Sequence, residues 1–327
     1  MTSSGPTLQV ENLQTHFFTK AGIAEAVNGT SFSVNSGQVM GLVGESGSGK
    51  SVTGFSLIGL VDEPGRIVGG SIKFNGEELI GASEERMRDL RGNKIAMIFQ
   101  DPMMTLNPVL RIDTQMIETI LAHEKVDKET ARQRCRDALG QVGISAAEER
   151  MKAYPHQFSG GMRQRVAIAI ALLNKPDLII CDEPTTALDV TIQGQILYEA
   201  QKLCRETGTS LIWITHDLAV VAGLADKICV MYAGQIVESG TIDDVLDHPI
   251  HPYTKGLLGS VPTHGNKGRR LIQIPGMAPS LLNLPKGCSF QDRCPRVDEA
   301  CTEQPPQTTP VEGRDIRCFH PYLEAGQ

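Results

Sequence analysis

The sequence predicts an α/β fold in which a sheet is covered by helices, followed by a small loop-rich extension. Short unbroken apolar runs recur along residues 1–260, as expected for strands buried on both faces of a sheet. Helical patterns lie between several of these runs. The composition changes after Ser260, because residues 261–327 contain nine of the 18 prolines and four of the 8 cysteines. We therefore predict two domains, at residues 1–260 and 261–327.

The strands begin with an alternating stretch at residues 8–13 and a second stretch at 31–34, and we expect an antiparallel flank beside the main sheet. Apolar runs predict the buried strands of the main sheet at residues 39–43, 94–99, 178–181, 210–214 and 227–232. The clearest helical patterns cover residues 129–142, 160–174 and 191–206. No apolar run approaches the roughly 20 residues of a membrane span. The N-terminus lacks the basic and apolar regions of a signal peptide, so we expect a chain without a span or a leader.

A glycine-rich segment follows the apolar run at residues 39–43. Residues 44–51 read G-E-S-G-S-G-K-S and match G-x4-G-K-S/T between a strand and a helix. Glycines let backbone N–H groups point at phosphates, and the N-terminus of the next helix adds positive potential. Lys50 would reach the outer phosphates and Ser51 would ligate Mg2+. The predicted phosphate-site residues are Gly44, Glu45, Ser46, Gly47, Ser48, Gly49, Lys50, Ser51 and Val52.

Two carboxylates follow the apolar run at residues 178–181. A strand that ends at Asp182 would place this acid beside the Mg2+ bound by Ser51. Glu183 would orient the attacking water or take its proton. Buried strands often end in acids at a turn, so this pattern is weak alone and becomes strong beside the phosphate loop.

Residues 158–165 read F-S-G-G-M-R-Q-R and precede the helical pattern at 160–174. Ser159 is a good N-cap, and Gly160 and Gly161 leave the first N–H groups of the helix open to an anion. Taken alone, these residues are better explained by an ordinary capped helix.

These motifs occur in an order that resembles the ATP-binding-cassette (ABC) ATPases. Gln100 follows a strand, T-A-L-D lies at residues 186–189, and T-H-D lies at 215–217. The resemblance covers roughly residues 8–260 and is strongest to the peptide-importer branch, above all to dipeptide permease ATP-binding subunits. The resemblance implies an ABC-type P-loop nucleotide-binding domain with a mixed sheet and a helical signature subdomain at about residues 100–165.

The resemblance also implies a dimer of cassettes, in which the phosphate loop of one and the S-G-G segment of the other enclose each ATP. Ser159, Gly160, Gly161 and Met162 would then contact ATP bound by the partner, and Asp189 would help form the dimer seam. Met162 stands where the family commonly has glutamine, which we interpret as a subfamily trait.

Further roles follow from the same resemblance. The catalytic residues would be Glu183 and His216, with His216 contacting the γ-phosphate. Phe17 would stack on adenine, and Phe18 is nearly as suitable. The residues at the magnesium ion would be Ser51, Gln100 and Asp182.

The implied reaction is ATP hydrolysis that powers import of dipeptides or short oligopeptides. Implied partners are a second, non-identical cassette subunit, two transmembrane permease subunits and a periplasmic peptide-binding protein reached through the permease. The segment from Asp101 to Pro108 resembles the region that docks permease helices. We expect a peripheral protein on the cytoplasmic face of the bacterial inner membrane. An importer of another solute, such as nickel complexes, is the alternative.

Other functional classes fit less well. The formal net charge of −7 and the low aromatic content disfavour nucleic-acid binding. A cassette acting on ribosomes or DNA typically has two cassettes or long insertions, and a redox regulator would not need Glu183.

Four cysteines lie in the extension, namely Cys288, Cys294, Cys301 and Cys318. A reducing compartment disfavours disulfides. The gaps of five, six and sixteen residues match neither the usual zinc pairs nor the common ferredoxin spacings. The residues alone therefore indicate a four-thiolate metal site or free cysteines. Similarity to the extension of peptide-importer ATPases implies a 4Fe-4S cluster, with zinc as the alternative.

Overall fold

The computed structural model describes residues 5–185, 190–260 and 273–323. The chain divides into two compact units, each assembled from separate segments. We call Met1–Thr7, Val34–Val39 and Gly81–Trp213 the helical unit. We call Leu8–Ser33, Met40–Ile80 and Ile214–Gln327 the phosphate-loop unit. The extension belongs to the phosphate-loop unit, and the boundary near Ser260 stays a prediction.

The strands and helices follow the apolar patterning closely. The strands are β1 (Leu8–Thr19), β2 (Gly22–Val34), β3 (Val39–Val43), β4 (Gly65–Phe74), β5 (Glu77–Glu78), β6 (Ile95–Ile98), β7 (Leu178–Asp182), β8 (Ser210–Thr215), β9 (Lys227–Tyr232), β10 (Gln235–Thr241), β11 (Thr309–Val311) and β12 (Arg314–Ile316). The helices are α1 (Lys50–Leu57), α2 (Glu84–Leu90), α3 (Ile112–Leu121), α4 (Lys128–Gln141), α5 (Ala147–Arg150), α6 (Gly160–Leu172), α7 (Val190–Thr207), α8 (Leu218–Leu224), α9 (Ile242–Asp247), α10 (Pro252–Ser260) and α11 (Glu299–Glu303).

The phosphate-loop unit contains an antiparallel flank and a mixed sheet. In the flank, β1 lies between β2 and β4, and β1 pairs antiparallel with β4. In the mixed sheet, β3 and β9 are parallel, whereas β10 pairs antiparallel with β9. All five residues of β3 are buried, as its continuous apolar sequence predicts.

The extension is more ordered than its proline content predicts. Its strand β12 pairs antiparallel with β10, with Glu238 opposite Ile316, and β11 pairs with β12. The buried guanidinium of Arg314 lies 3.5 Å from the buried carboxylate of Glu238. Short strands of the extension therefore continue the mixed sheet of the phosphate-loop unit.

The helical unit combines β6, β7 and β8, in that order, with a helical subdomain. β6 and β7 are parallel, with Ile95 opposite Leu178. The helices α3, α4 and α6 share one apolar cluster, which runs in sequence from Leu106 to Leu173. Asp127 starts α4 by accepting hydrogen bonds from the backbone N–H groups of residues 129 and 130.

Within the described part of the chain, no helix has both the length and the apolar character that crossing a membrane requires.

Candidate functional site

The phosphate loop has a backbone conformation that only glycine adopts readily. Gly44 and Gly49 have φ values of 157° and 102°. A Cβ atom at Gly44 would lie 2.1 Å from the Met231 carbonyl oxygen, and one at Gly49 would lie 2.2 Å from that of Ala26. Neither position therefore accommodates a side chain.

Lys50 lies near the C-terminal end of this loop and is only 5% exposed. Its Nζ donates to the carbonyl oxygens of Gly44 at 2.8 Å and Glu45 at 2.9 Å, and lies 3.5 Å from Ser48 Oγ. Helix α1 begins at Lys50, so Ser51 and Val52 lie in its first turn. A buried ammonium group beside the N-terminus of an eight-residue helix is suited to binding a phosphate anion.

The two candidate aromatic residues lie next to each other on β1 and therefore point to opposite faces of the strand. The Arg66 guanidinium lies 4.0 Å from the centre of the Phe18 ring and covers one of its faces. Phe17 is half-buried and pairs with Gly65, where a Cβ would come within 2.6 Å of the Phe17 ring. The adenine contact stays assigned to Phe17 as a prediction.

His216 follows β8 and is exposed. The next residue, Asp217, caps α8 by accepting a 2.9 Å hydrogen bond from the Ala219 N–H. The cap defines where α8 begins and keeps His216 outside that helix.

In the helical unit, three candidate residues follow the ends of neighbouring strands. Asp182 ends β7 and is 3% exposed. Gln100 lies just beyond β6, and its Nε2 donates a 3.2 Å hydrogen bond to Glu183 Oε2. Glu183 has a φ of 45°, a left-handed conformation that is uncommon for a residue with a side chain. Such conformations concentrate at functional sites, where the surrounding structure stabilises them.

The S-G-G segment forms the N-terminus of α6. Ser159 caps this helix, and its Oγ accepts a 3.3 Å hydrogen bond from the Met162 N–H. Ser159 and Gly160 are exposed, whereas the Met162 side chain packs against the apolar cluster of the helical subdomain. The candidate seam residue Asp189 lies outside the described residues.

The segment proposed to dock a permease divides into exposed and buried parts. Met104 is 67% exposed, at the end of a short 3-10 helix that Asp101 caps. Leu106, by contrast, is 1% exposed and belongs to the apolar cluster. Only part of this segment is therefore available to a partner.

The four cysteines of the extension line one narrow cavity, together with Phe290 and His251. Burial raises the pKa of Cys288 to about 11 and that of Cys318 to about 12. Burial also raises the pKa values of Cys294 and Cys301. All four therefore favour the neutral thiol at pH 7, and deprotonation of such groups requires compensation by a cation.

Hydrogen-bond donors also point at two of these sulfurs. Cys294 Sγ accepts from the Arg296 N–H at 3.4 Å, and Cys318 Sγ accepts from the His320 N–H at 3.3 Å. Over the described ranges, the only three potential ligand atoms that all lie within 4.8 Å of one another belong to Asp298, Cys301 and His320.

Two residues in the C-terminal part of the chain contact the phosphate loop and were not predicted from the sequence. Arg293, next to Cys294, makes two hydrogen bonds to the carboxylate of Glu45. The backbone N–H of Glu45 donates to the Tyr253 hydroxyl at 2.9 Å. No local pattern marks either contact, because Arg293 and Tyr253 lie 248 and 208 residues from Glu45 in the sequence.

Comparison with known families matches two parts of the chain. The model described as ABC transporter matches residues 27–186. The model described as oligopeptide/dipeptide transporter, C-terminal region, matches residues 237–301.

Individual relatives match almost the whole chain. The oligopeptide transport ATP-binding protein OppD of Escherichia coli (strain K12) is 50% identical over 317 residues, which is 97% of this chain and 94% of that protein. AppD of Bacillus subtilis (strain 168), also an oligopeptide transport ATP-binding protein, is 50% identical over 95% of this chain and 96% of its own length. The dipeptide transport ATP-binding protein DppD of Escherichia coli (strain K12) is 46% identical over 98% of both chains.

A solved structure supports the same fold. It is a dimeric ATP-binding cassette in a post-hydrolysis state, bound to ADP and Pi, with 25% identity and a TM-score of 0.66 over 72% of this chain and 98% of that chain. The family resemblance drawn from the motifs is confirmed. The chain belongs to the ABC transporter family, within the branch of oligopeptide and dipeptide transport ATP-binding proteins.

Proposed function

We propose that this chain is the ATP-hydrolysing subunit that powers import of dipeptides or short oligopeptides through an ABC transporter of the bacterial inner membrane. The observation that carries the proposal is the phosphate loop. Its Gly44 and Gly49 lie too close to neighbouring backbone to have a side chain, and its Lys50 is buried. The near full-length similarity to peptide transport ATP-binding proteins supports peptide as the transported solute.

The candidate residues act on Mg-ATP. Lys50 and the loop N–H groups bind the outer phosphates, and Phe17 stacks on adenine. Ser51, Gln100 and Asp182 would hold the magnesium ion, which would supply positive charge to neutralise the phosphates.

The water that attacks the γ-phosphate is oriented and deprotonated by Glu183, while His216 contacts that phosphate. The Gln100 hydrogen bond and the left-handed backbone at Glu183 support this role, because both restrict where the carboxylate lies.

A second, non-identical cassette completes each site. Ser159, Gly160, Gly161 and Met162 contact ATP bound by the partner, and Asp189 forms part of the seam. The exposed cap of α6 supports this arrangement, because its N–H groups are accessible to an anion. Two permease subunits receive the exposed Met104 on the cytoplasmic face of the membrane, and the periplasmic peptide-binding protein acts through them.

The cysteine cavity binds a 4Fe-4S cluster. Four thiols line the one cavity, and two of the sulfurs accept backbone hydrogen bonds. When bound, the cluster would supply metal–thiolate bonds that stabilise the fold of the extension.

Uptake in cells tests the transport function. In a strain that lacks this chain, the wild-type chain should restore uptake of a labelled dipeptide or tripeptide, and Glu183→Gln should not. Affinity purification from the same membranes should recover a second cassette and two permease subunits. Restored uptake of a labelled nickel complex without peptide uptake would contradict peptide as the solute.

Metal analysis tests the cluster. The chain purified anaerobically in its complex should be brown and contain about four iron and four sulfide per chain. Cys318→Ser should lose most of both, whereas Cys135→Ala, in the helical subdomain, should retain them. Colourless protein that contains zinc would disprove the 4Fe-4S assignment.

A further inference from the structure

Arg293, a residue of the extension, forms hydrogen bonds to Glu45 of the phosphate loop. Arg293 is buried, with 5% of its side chain exposed, and its two terminal nitrogens lie 2.7 Å and 2.9 Å from the two carboxylate oxygens of Glu45. These partners are 248 residues apart in sequence. A bidentate, largely buried pair fixes both distance and orientation, unlike an exposed surface ion pair.

Glu45 connects this pair to the nucleotide-binding groups. Its backbone N–H donates to the Tyr253 hydroxyl, and its carbonyl oxygen accepts from Lys50 Nζ, each at 2.9 Å. One residue of the loop is therefore attached by its side chain to the extension and by its backbone to the lysine that binds phosphate. A displacement of Glu45 moves the carbonyl oxygen that orients Lys50.

The Arg293 side chain is itself anchored on more than one side. Its Nε donates to the Pro275 carbonyl oxygen at 2.9 Å, and its Nη1 lies 3.3 Å from the Tyr232 hydroxyl. Phe290 lines the cysteine cavity, and its ring packs edge-on against Tyr232, with the ring centres 5.2 Å apart. The extension, the cavity and the loop thus meet in one packed cluster of the phosphate-loop unit.

We propose that Arg293 is a positioning residue for ATP binding, through which the folded extension sets the conformation and charge of the phosphate loop. Arg293 acts in two ways. It fixes the place of Glu45, and it neutralises a carboxylate that would otherwise repel the triphosphate. The inference rests on ATP binding by the phosphate loop.

Loss of Arg293 should mainly change the affinity for ATP. Arg293 donates its hydrogen bonds to Glu45, Tyr232 and Pro275 rather than to a group proposed to act on the attacking water. Loss of Arg293 should therefore raise KM for ATP more than it lowers kcat. In the assembled transporter, Arg293→Gln should raise the Kd of Mg-ATP about tenfold to a hundredfold while kcat stays within about threefold.

Four further variants, including Glu45→Gln as its own background, separate positioning from general folding. Arg293→Lys retains the charge but not the bidentate geometry, so its Kd should be intermediate. Lys286→Gln is the control for loss of a positive charge, because Lys286 is an exposed cation of the same extension. Its Kd should equal that of the wild type. In a Glu45→Gln background, Arg293→Gln should raise the Kd of Mg-ATP at most about threefold, since no carboxylate remains to be neutralised.

Equilibrium binding of Mg-ATP to the wild-type complex and the five variant complexes, six in all, tests the inference. An unchanged Kd in Arg293→Gln would overturn the inference and leave the proposed function intact. An equal loss from Arg293→Gln in the wild-type and Glu45→Gln backgrounds would also overturn it, by making Arg293 merely structural. Wild-type transporter that binds no Mg-ATP would overturn both the inference and the proposed function.

Discussion

Glu183→Gln should reduce the turnover of ATP about a hundredfold to ten-thousandfold, which is the range expected when a general base is removed. The amide has nearly the shape of the carboxylate but cannot accept a proton from water. Mg-ATP binding should persist, because Lys50 and the loop N–H groups are unchanged. Single-turnover hydrolysis and equilibrium nucleotide binding, measured on the same preparation, separate the two effects.

Glu118→Gln is the matched control for this variant. Glu118 is an exposed glutamate on α3 in the same unit, so the same chemical change should leave turnover unaltered. A Glu183→Gln protein that hydrolyses ATP at a near wild-type rate would remove Glu183 from the mechanism. A loss of binding equal to the loss of turnover would instead indicate that Glu183 positions the nucleotide.

Lys50→Ala should abolish useful ATP binding, with a Kd raised about a hundredfold or more. The ammonium is the positive charge buried inside the loop, and its removal also takes one hydrogen-bond donor away from each of the carbonyl oxygens of Gly44 and Glu45. Turnover should fall with binding, in contrast to Glu183→Gln. Isothermal titration of the assembled transporter with Mg-ATP measures the effect.

Because Lys50 is buried, thermal unfolding of Lys50→Ala should be recorded beside the titration. Lys20→Ala, at an exposed position of the same unit, is the control and should bind ATP normally. Unchanged ATP affinity in a folded Lys50→Ala protein would refute the phosphate-binding role of the loop and the proposed function with it.

The sequence alone predicted those functional residues whose chemistry depends only on residues a few positions away in the chain. The phosphate loop spans eight consecutive positions, and its left-handed glycines and helix start are local properties. Strands such as β3 and β7 were predicted because continuous apolar runs indicate burial on both faces. Asp182 and Glu183 could be found because they end such a run.

The extension was predicted less completely. Its four cysteines were identified, but its prolines suggested loops, whereas β12 pairs with β10 and Arg314 reaches Glu238. Short edge strands have little local signal, because their stability comes from pairing with a distant strand. Leu106 fell within the segment expected to dock a permease, although it belongs to the apolar cluster of the helical subdomain, because its burial depends on packing against helices distant in the sequence.

Local sequence thus determined the family, the phosphate-binding loop and the identity of the acids, since these depend on residue type and on spacings of a few positions. Only the tertiary structure decided that Arg293 binds Glu45, that Tyr253 accepts from the same residue, and that the cysteines line one cavity. Those contacts join positions far apart in the chain. They arise where the extension packs against the rest of the phosphate-loop unit. No local periodicity in the sequence encodes such packing.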